Sequence, residues 1–561
     1  MKEETNDQLR TTPPAMLRCI TQFGVMCNKA EVLLAPKDGI ETVQGEALKK
    51  SSELWFMHGA YYDLSLFMKN HPGGEGVLKM TQGLEDVTAL FESYHALANI
   101  VTIKEMMEQY RYKGAVHDDM LDRFPSKDMA SQAKHRAPLD FTFAADGFYN
   151  TLRNRVKTHF LQREAGTAFK NVSEKIDLGK VSVARMTKVT KAWYSKELLI
   201  MALYTPCFLT MLGVDFGIGK LTGWDLSIWG WGMAARMVAG LCAGWLLQAF
   251  SFCTLHDASH YGLFSRRPAL TEALSRVCNA WTLWNHASWS AHHVYGHHSF
   301  TGDAHRDPDI IHARPFIRKN IMTPILEYAR YFLDWQHIAA PVFFLLIPGQ
   351  TIGQTLSYYC GVRQGYIWRC PVGDHVIRDM PLYEKLTYIL SIGAHFYGGS
   401  FFASASYFMG CSVLYHICIA PDHDTFESAV LNCVDRHEVT GMPGNKDEAL
   451  KDWGTIQVRH SGNFCTSSSL WTQMCGGINF QIEHHLFPSM SHMHYHHIAP
   501  IVRTVCREFN VPYVSHPTLW SAYRSYLMNL KFCGANDNSD PAVTRAAIAS
   551  LEATGLDVSE R

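Results

Sequence analysis

In the stretch Gln481-Ile482-Glu483-His484-His485-Leu486, three-residue spacing puts Gln481 and His484 on one helical face, with His485 one step around. An amide and two imidazoles so arranged can converge on a metal ion. A lone His-His pair carries little weight, but two partner clusters lie upstream. One is His256-Asp257-Ala258-Ser259-His260, and the other is His293-Val294-Tyr295-Gly296-His297-His298. Their i, i+4 and i, i+4, i+5 spacings again bring rings to one helical face. Three such clusters in one chain predict a shared metal site.

Neutral imidazole binds iron, zinc and copper, so ligand type alone does not name the metal. Count narrows the choice. His256, His260, His293, His297, His298, His484 and His485, with Gln481 as a further donor, exceed the four ligands that a tetrahedral zinc takes. Two metal ions are therefore expected.

A second chemistry is written earlier in the chain. In His71-Pro72-Gly73-Gly74 the proline ends the preceding helix and the glycines let backbone approach a flat ligand. His95 follows in Phe91-Glu92-Ser93-Tyr94-His95. Two histidines on opposing helical hairpins can clamp a haem iron from both sides and leave no position for oxygen. Such a site moves electrons and does not activate O2.

Positioning these groups requires a small soluble unit and a membrane frame. Trp55 to Asp63 reads as a hairpin-like β element leading into a short helix. Residues 115–139 are polar, carry Pro125 and Pro138, and read as a flexible tether. Phe148, Tyr149, Leu152 and Val156 form an apolar stripe that suits either the membrane surface or the catalytic core. Leu198 to about Gly217 and Leu226 to about Leu255 are long enough to cross about 30 Å of hydrocarbon. Arg185, Lys188, Lys191 and Lys196 precede the first, and Arg266, Arg267 and Arg276 follow the second, so both flanks read as cytosolic. Leu386–Ala420 is broken at Gly398-Gly399 and can make two further spans. If all clusters share one site, an even number of crossings separates His298 from His484, so Ile338–Tyr359 reads as interfacial or re-entrant.

Composition agrees. A chain of 561 residues with net charge -1 lacks the basic face of a nucleic-acid binder. Its 29 histidines raise the prior for metal chemistry, and 15 dispersed cysteines without a Cys-x-x-Cys pair suggest reduced thiols. An oxidative metal site beside a bilayer, fed by a haem, favours iron.

These three histidine clusters resemble the histidine boxes of membrane-bound fatty acid desaturases, and Gln481 at the head of the third resembles the front-end type. The string around His71 and His95 is similar to cytochrome b5, the domain fused to that type. The resemblance implies a small α+β cytochrome b5-like domain followed by an all-α membrane domain with about four transmembrane helices. Domain limits on this reading are a flexible leader at 1–44, the haem domain at 45–113, a linker at 114–140, the desaturase domain at 141–533 and a disordered tail at 534–561. It implies His71 and His95 as axial ligands of a b-type haem, and a non-haem di-iron centre on the box histidines. A further family ligand corresponds to His416 or His423, with His423 favoured because His423-Asp424-Thr425-Phe426-Glu427-Ser428 resembles the family's His-Asn-Phe-Glu run with one residue added. His292 stands where the family often has glutamine and, like Asp307 and Asp309, is expected beside a ligand. His305, His312, His492, His494, His496 and His497 read as surface or helix-face residues.

The implied reaction uses O2 and electrons passed from NADH through cytochrome b5 reductase to the haem, then to the irons. It puts a cis double bond between an existing one and the carboxyl end of a polyunsaturated acyl chain, carried on a membrane lipid or acyl-CoA. The second box, His-Val-x-Gly-His-His, looks most like Δ4 and Δ5 enzymes. Alternatives are a Δ6 or Δ8 desaturase, a sphingolipid long-chain-base desaturase, a lipid hydroxylase, or a non-enzymatic membrane haem carrier. The implied location is the endoplasmic-reticulum membrane, with haem domain and boxes facing the cytosol, ahead of a plastid membrane.

Overall fold

The computed structural model describes residues 48–346, 366–367, 370–371, 380–434 and 451–535, apart from short gaps of which 166–176 is the longest. The expected leader at 1–44, most of the tail beyond 534 and much of Ile338–Tyr359 lie outside the described residues.

The amino-terminal unit opens on an antiparallel hairpin, Trp55–Met57 against Ala60–Tyr62. Its turn residues His58 and Gly59 both take positive φ, the geometry that matches strand twist in a two-residue turn. Helices Glu75–Thr81, Thr88–Tyr94 and Ile100–Met107 close over it around Trp55, Tyr62, Phe67, Leu78 and Leu90. The Trp55 indole donates to the Leu78 carbonyl at 3.1 Å, which satisfies the one polar atom of that buried ring. The start of the expected tether is ordered, since Val116–His117 pairs in parallel with Lys49–Lys50.

The rest is helical. Lys191–Met211, Trp231–Ser251 and Phe401–His423 pack side by side at the centre. Close approach depends on glycine. A Cβ on Gly244 would lie 1.9 Å from the Tyr407 carbonyl oxygen, and one on Gly410 would lie 2.2 Å from that of Leu241. Small residues at such a crossing let two backbones meet, the packing that apolar surroundings favour. Leu382–Phe396 lies against Pro268–Trp281, and Arg330–Leu346 against Leu519–Ala535.

Among the described residues two stretches are long and apolar enough to cross a membrane, Trp231–Ser259 and Phe401–Val430. Leu198, Leu199 and Leu203, and on the Leu382 helix Leu386, Ile389 and Leu390, present exposed apolar side chains. The first expected span is displaced: its helix begins at Lys191 and ends at Met211, short of Gly217. The second begins at Trp231, beyond the expected Leu226.

Helix Phe148–Ala165 resolves the open reading of its apolar stripe. Phe148, Tyr149, Leu152 and Val156 are buried in one cluster with Ile482, Leu486 and Phe487 of the third box, so the stripe faces protein and not lipid. The same helix meets the amino-terminal unit, because Lys157 Nζ donates to the Ala98 carbonyl at 2.7 Å.

Candidate metal centre

The first two histidine clusters are reached through distorted helices. Trp231–Ser251 continues into a π-helical stretch, Phe252–His256, and the second cluster lies on another, Ser290–His297. A π turn bonds i to i+5 and is wider than an α turn, so positions i+4 and i+5 straddle i. His293, His297 and His298 thereby share one side. The α-helical face assumed from the spacing holds for the first cluster, where the His260 N–H donates to the His256 carbonyl across Asp257–Ser259, and for the third, on Gln481–Leu486. That short helix is entered through Gly476 and Gly477, both at positive φ, where a Cβ on Gly476 would meet the Phe252 carbonyl oxygen at 2.4 Å. The loop into the third cluster is thus seated directly against the stretch that leads into the first.

The clusters close into one buried site. Ligand atoms of His256, His260, His293 and His484 all lie within 4.8 Å of one another, and so do those of His297, His423 and His485. His298 joins the two groups through His484 and His485. Nε2–Nε2 separations are 3.2 Å for His256–His293, 3.1 Å for His484–His298 and 3.0 Å for His297–His423. Two nitrogens held at right angles on one ion by bonds of about 2.1 Å stand about 3 Å apart.

Hydrogen bonds at Nδ1 aim five of these rings. His260 meets Tyr94 Oη at 2.7 Å, His297 meets Asp307 Oδ1 at 3.0 Å, and His484 meets Tyr495 Oη at 3.0 Å. His485 meets Gln457 Oε1 at 2.8 Å and His423 meets the His460 carbonyl at 2.8 Å. Fixing Nδ1 leaves Nε2 as the donor toward the centre. The Nε2 atoms of His260 and His485 are buried with no hydrogen-bond partner among the described residues. Burial, with neighbouring rings, holds His298 and His485 well below the usual imidazole range, so both rings are neutral. His297 is the exception. Burial opposes its charge, but Asp307 and Asp309 lift it to about 9, and the same carboxylates favour a cation bound at its Nε2. Buried, neutral, converging imidazoles with unpartnered nitrogens fit a pair of metal ions.

Of the two candidates for the additional histidine, His423 reaches the cluster. His416 lies elsewhere, with its Nε2 3.0 Å from Tyr523 Oη and its ring stacked on Phe344. The Gln481 side-chain amide lies 2.8 Å from His423 Nε2, at the same point where His297 arrives. His292 contacts Asp309, as its position suggested. His305 and His496 are exposed, as expected. His492 and His494 are not surface residues: both are buried, and His492 Nδ1 lies 2.8 Å from Asp257 Oδ2, beside His256. The two lie on the short turn His492–His494, ahead of the helix that begins at Tyr495, and this turn packs onto the core. Tyr94, Gln457 and Tyr495 went unread, since nothing in their local sequence points to a ring brought close by folding.

The other histidine pair is also assembled. The rings of His71 and His95 stand 6.2 Å apart, centre to centre. Two imidazoles on opposite sides of one iron, each bonded at about 2 Å, place their ring centres about 6 Å apart. Both Nδ1 atoms are engaged, by the Gly74 carbonyl at 3.1 Å and the Phe91 carbonyl at 2.8 Å. Burial, and then proximity to His95, pulls His71 down to about 4, leaving a neutral ring. A Cβ on Gly73 would lie 2.8 Å from His71 Cε1, so this turn needs glycine to seat the ring.

Two family models match the chain. A fatty acid desaturase model covers residues 226–517, and a cytochrome b5-like heme/steroid binding domain model covers 41–117. Among relatives, a probable Delta(5) fatty acid desaturase C of Dictyostelium discoideum is 26% identical over 500 residues, 86% of this chain and 93% of that protein. An acyl-lipid (8-3)-desaturase of Mortierella alpina is 25% identical, covering 85% and 93%. A chloroplastic acyl-lipid (7-3)-desaturase of Chlamydomonas reinhardtii is 25% identical, covering 85% and 80%.

Proposed function

Because this chain belongs to the fatty acid desaturase family and carries a cytochrome b5-like domain fused ahead of its desaturase domain, we propose that it is a front-end enzyme acting at Δ4 or Δ5. As a desaturase it is an oxidoreductase. The new cis double bond would lie between an existing one and the carboxyl end of a polyunsaturated acyl chain. The observation that carries this reading is the closure of three histidine clusters and His423 into one buried site. The Delta(5) name of the Dictyostelium relative supports that end of the range.

In this reading His256, His260, His293 and His484 would hold one iron, and His297, His423 and His485 the other. His298 would stand between them and Gln481 beside the second. When bound, the irons supply the oxidant that, with O2 and two electrons, removes hydrogen from an unactivated methylene pair. The chain's own residues do the rest. Asp307, Gln457, Tyr495 and the His460 carbonyl orient the rings. Phe487, Leu486 and Ile482 keep water from their back. His71 and His95 would hold the b-type haem. We assign the domains as 45–113 for haem and 141–533 for desaturation, joined by 114–140.

The family's setting is membrane-bound, and we place this enzyme in the endoplasmic reticulum with haem and boxes toward the cytosol, fed by NADH through cytochrome b5 reductase. A glycosylation acceptor inserted near Gly219 should be modified in microsomes, and one inserted before Pro381 should not. Modification before Pro381 would break the four-crossing arrangement.

Expression in yeast fed C18 to C22 polyunsaturated acids, one at a time, tests the regiochemistry. Mass spectrometry should locate each new double bond on the carboxyl side of an existing one, at Δ4 or Δ5. A hydroxylated product, or a bond on the methyl side, would overturn the proposal.

A further inference from the structure

The two redox sites touch through one side chain. Tyr94 Oη and His260 Nδ1 are 2.7 Å apart, and the two rings lie 19° from parallel with centres 6.3 Å apart. Tyr94 ends the Thr88–Tyr94 helix and is joined by its peptide to His95, one of the histidine pair of the amino-terminal unit. His260 is buried, and its other nitrogen, Nε2, points into the histidine cluster without a hydrogen-bond partner among the described residues. A continuous chain of atoms therefore runs from the His95 ring through the Tyr94 peptide and phenol, across one hydrogen bond, to His260 Nε2.

The contact is held from several sides. Arg306 forks onto Glu85, with Nη2 2.7 Å and Nε 3.0 Å from Oε1, a charge-assisted pair across the interface. Arg153 Nη1 meets the buried Glu92 Oε2 at 3.1 Å, and Lys157 reaches the Ala98 carbonyl. Val294 and Tyr295, from within the second histidine cluster, are buried in the same core as Trp55, Phe67 and Phe91. The amino-terminal unit is thus fixed on the metal centre by its core, by a buried ion pair and at the Tyr94–His260 bond.

We propose that Tyr94 is the bridge by which electrons cross from haem to the metal centre, with the two domains remaining docked. This rests on the assignment of the haem and iron sites above. In each passage the ferrous haem is oxidised to ferric and one ferric ion of the pair is reduced to ferrous. Tyr94 is left unchanged. Two passages supply two electrons; the substrate's two C–H bonds supply two more and two protons. With two further protons from solvent, these reduce one O2 to two waters as the double bond forms. Tyr94 acts through His260 and touches no reacting carbon, so it is a relay residue.

The test uses purified full-length enzyme, wild type and Tyr94→Phe, with haem and iron each quantified. The haem is reduced without oxygen, then mixed with O2 and an accepted polyunsaturated acyl substrate, and its reoxidation is followed by absorbance. Phenylalanine keeps the ring and removes the hydrogen bond. Reoxidation per bound iron should slow by about tenfold or more, with haem potential unchanged. Turnover per iron driven by a small chemical reductant, which bypasses the haem, should fall far less, because it registers only the loosened His260 ring. Wild-type reoxidation kinetics in the variant would overturn the bridge. So would an equal loss of bypass turnover per iron, since Tyr94 would then act only by holding His260. Wild-type protein with haem and no iron would instead sink the metal assignment itself.

Discussion

Glu92 Oε2 accepts a hydrogen bond from Arg153 Nη1 at 3.1 Å, with the carboxylate 1% exposed, and so pins the helix before His95 to the helix that backs the third histidine cluster. Lys104 and His58 share the other oxygen. Burial works to raise the Glu92 pKa, but these three partners outweigh it and hold the group at about 2, against 4.5 when unperturbed. A depressed carboxylate stabilises the fold fully above its unfolded pKa and loses that contribution as pH falls through the folded value.

The expected outcome is a stability loss that starts below pH 4.5 and continues toward pH 2, of about 3 kcal/mol in all. Denaturation in detergent, followed between pH 6 and pH 3 by the haem band, would measure it. Glu92→Gln should flatten part of that pH dependence. It should also cost about 3–5 kcal/mol at neutral pH, because Arg153 is left buried without its counter-charge. A variant as stable as wild type at pH 7 would refute the pinning role.

Gln481 is predicted to matter through its amide, which lies 2.8 Å from His423 Nε2. Its carbonyl oxygen is a harder donor than an imidazole nitrogen. Gln481→His should keep iron and part of the turnover. Gln481→Ile, similar in bulk but without a donor, should lose most activity, roughly 10–100-fold, with haem intact. Both are read as iron content and product formed per haem. Normal turnover in the isoleucine variant, with two irons per haem, would exclude a role at the metal.

His71→Ala should abolish a low-spin b-type spectrum and the desaturation fed through the haem, and leave the irons bound. The pair stands 6.2 Å apart, and removing one ring leaves one axial position empty. Retention of the haem band would show that another side chain is the ligand.

Gly244→Val tests the helix crossing beneath the site. Its first added carbon would fall 1.9 Å from the Tyr407 carbonyl oxygen, an approach that only movement of one helix can relieve. Separating Trp231–Ser251 from Phe401–His423 also separates His256 from His423. A loss of stability of about 1–3 kcal/mol, with weakened iron retention, is expected in thermal melts and metal analysis. Unchanged melting and iron content would mean that the crossing adapts without cost.

The candidate donors were legible in the sequence, since box spacing, the His71-Pro72-Gly73-Gly74 turn and the hairpin at Trp55 are local patterns read over a few residues. It left open whether the Phe148 stripe faced lipid or protein, because an apolar face reads the same toward either. Only tertiary structure decided that the stripe backs the third box, and that His423 and not His416 reaches the cluster. The two lie seven positions apart and on nearly the same face of one helix, so their difference is one of depth along its axis, which packing sets. The partners of the rings were equally invisible. Tyr94 and His260 are separated by 166 positions, and no local pattern encodes a hydrogen bond made only when two domains close against each other.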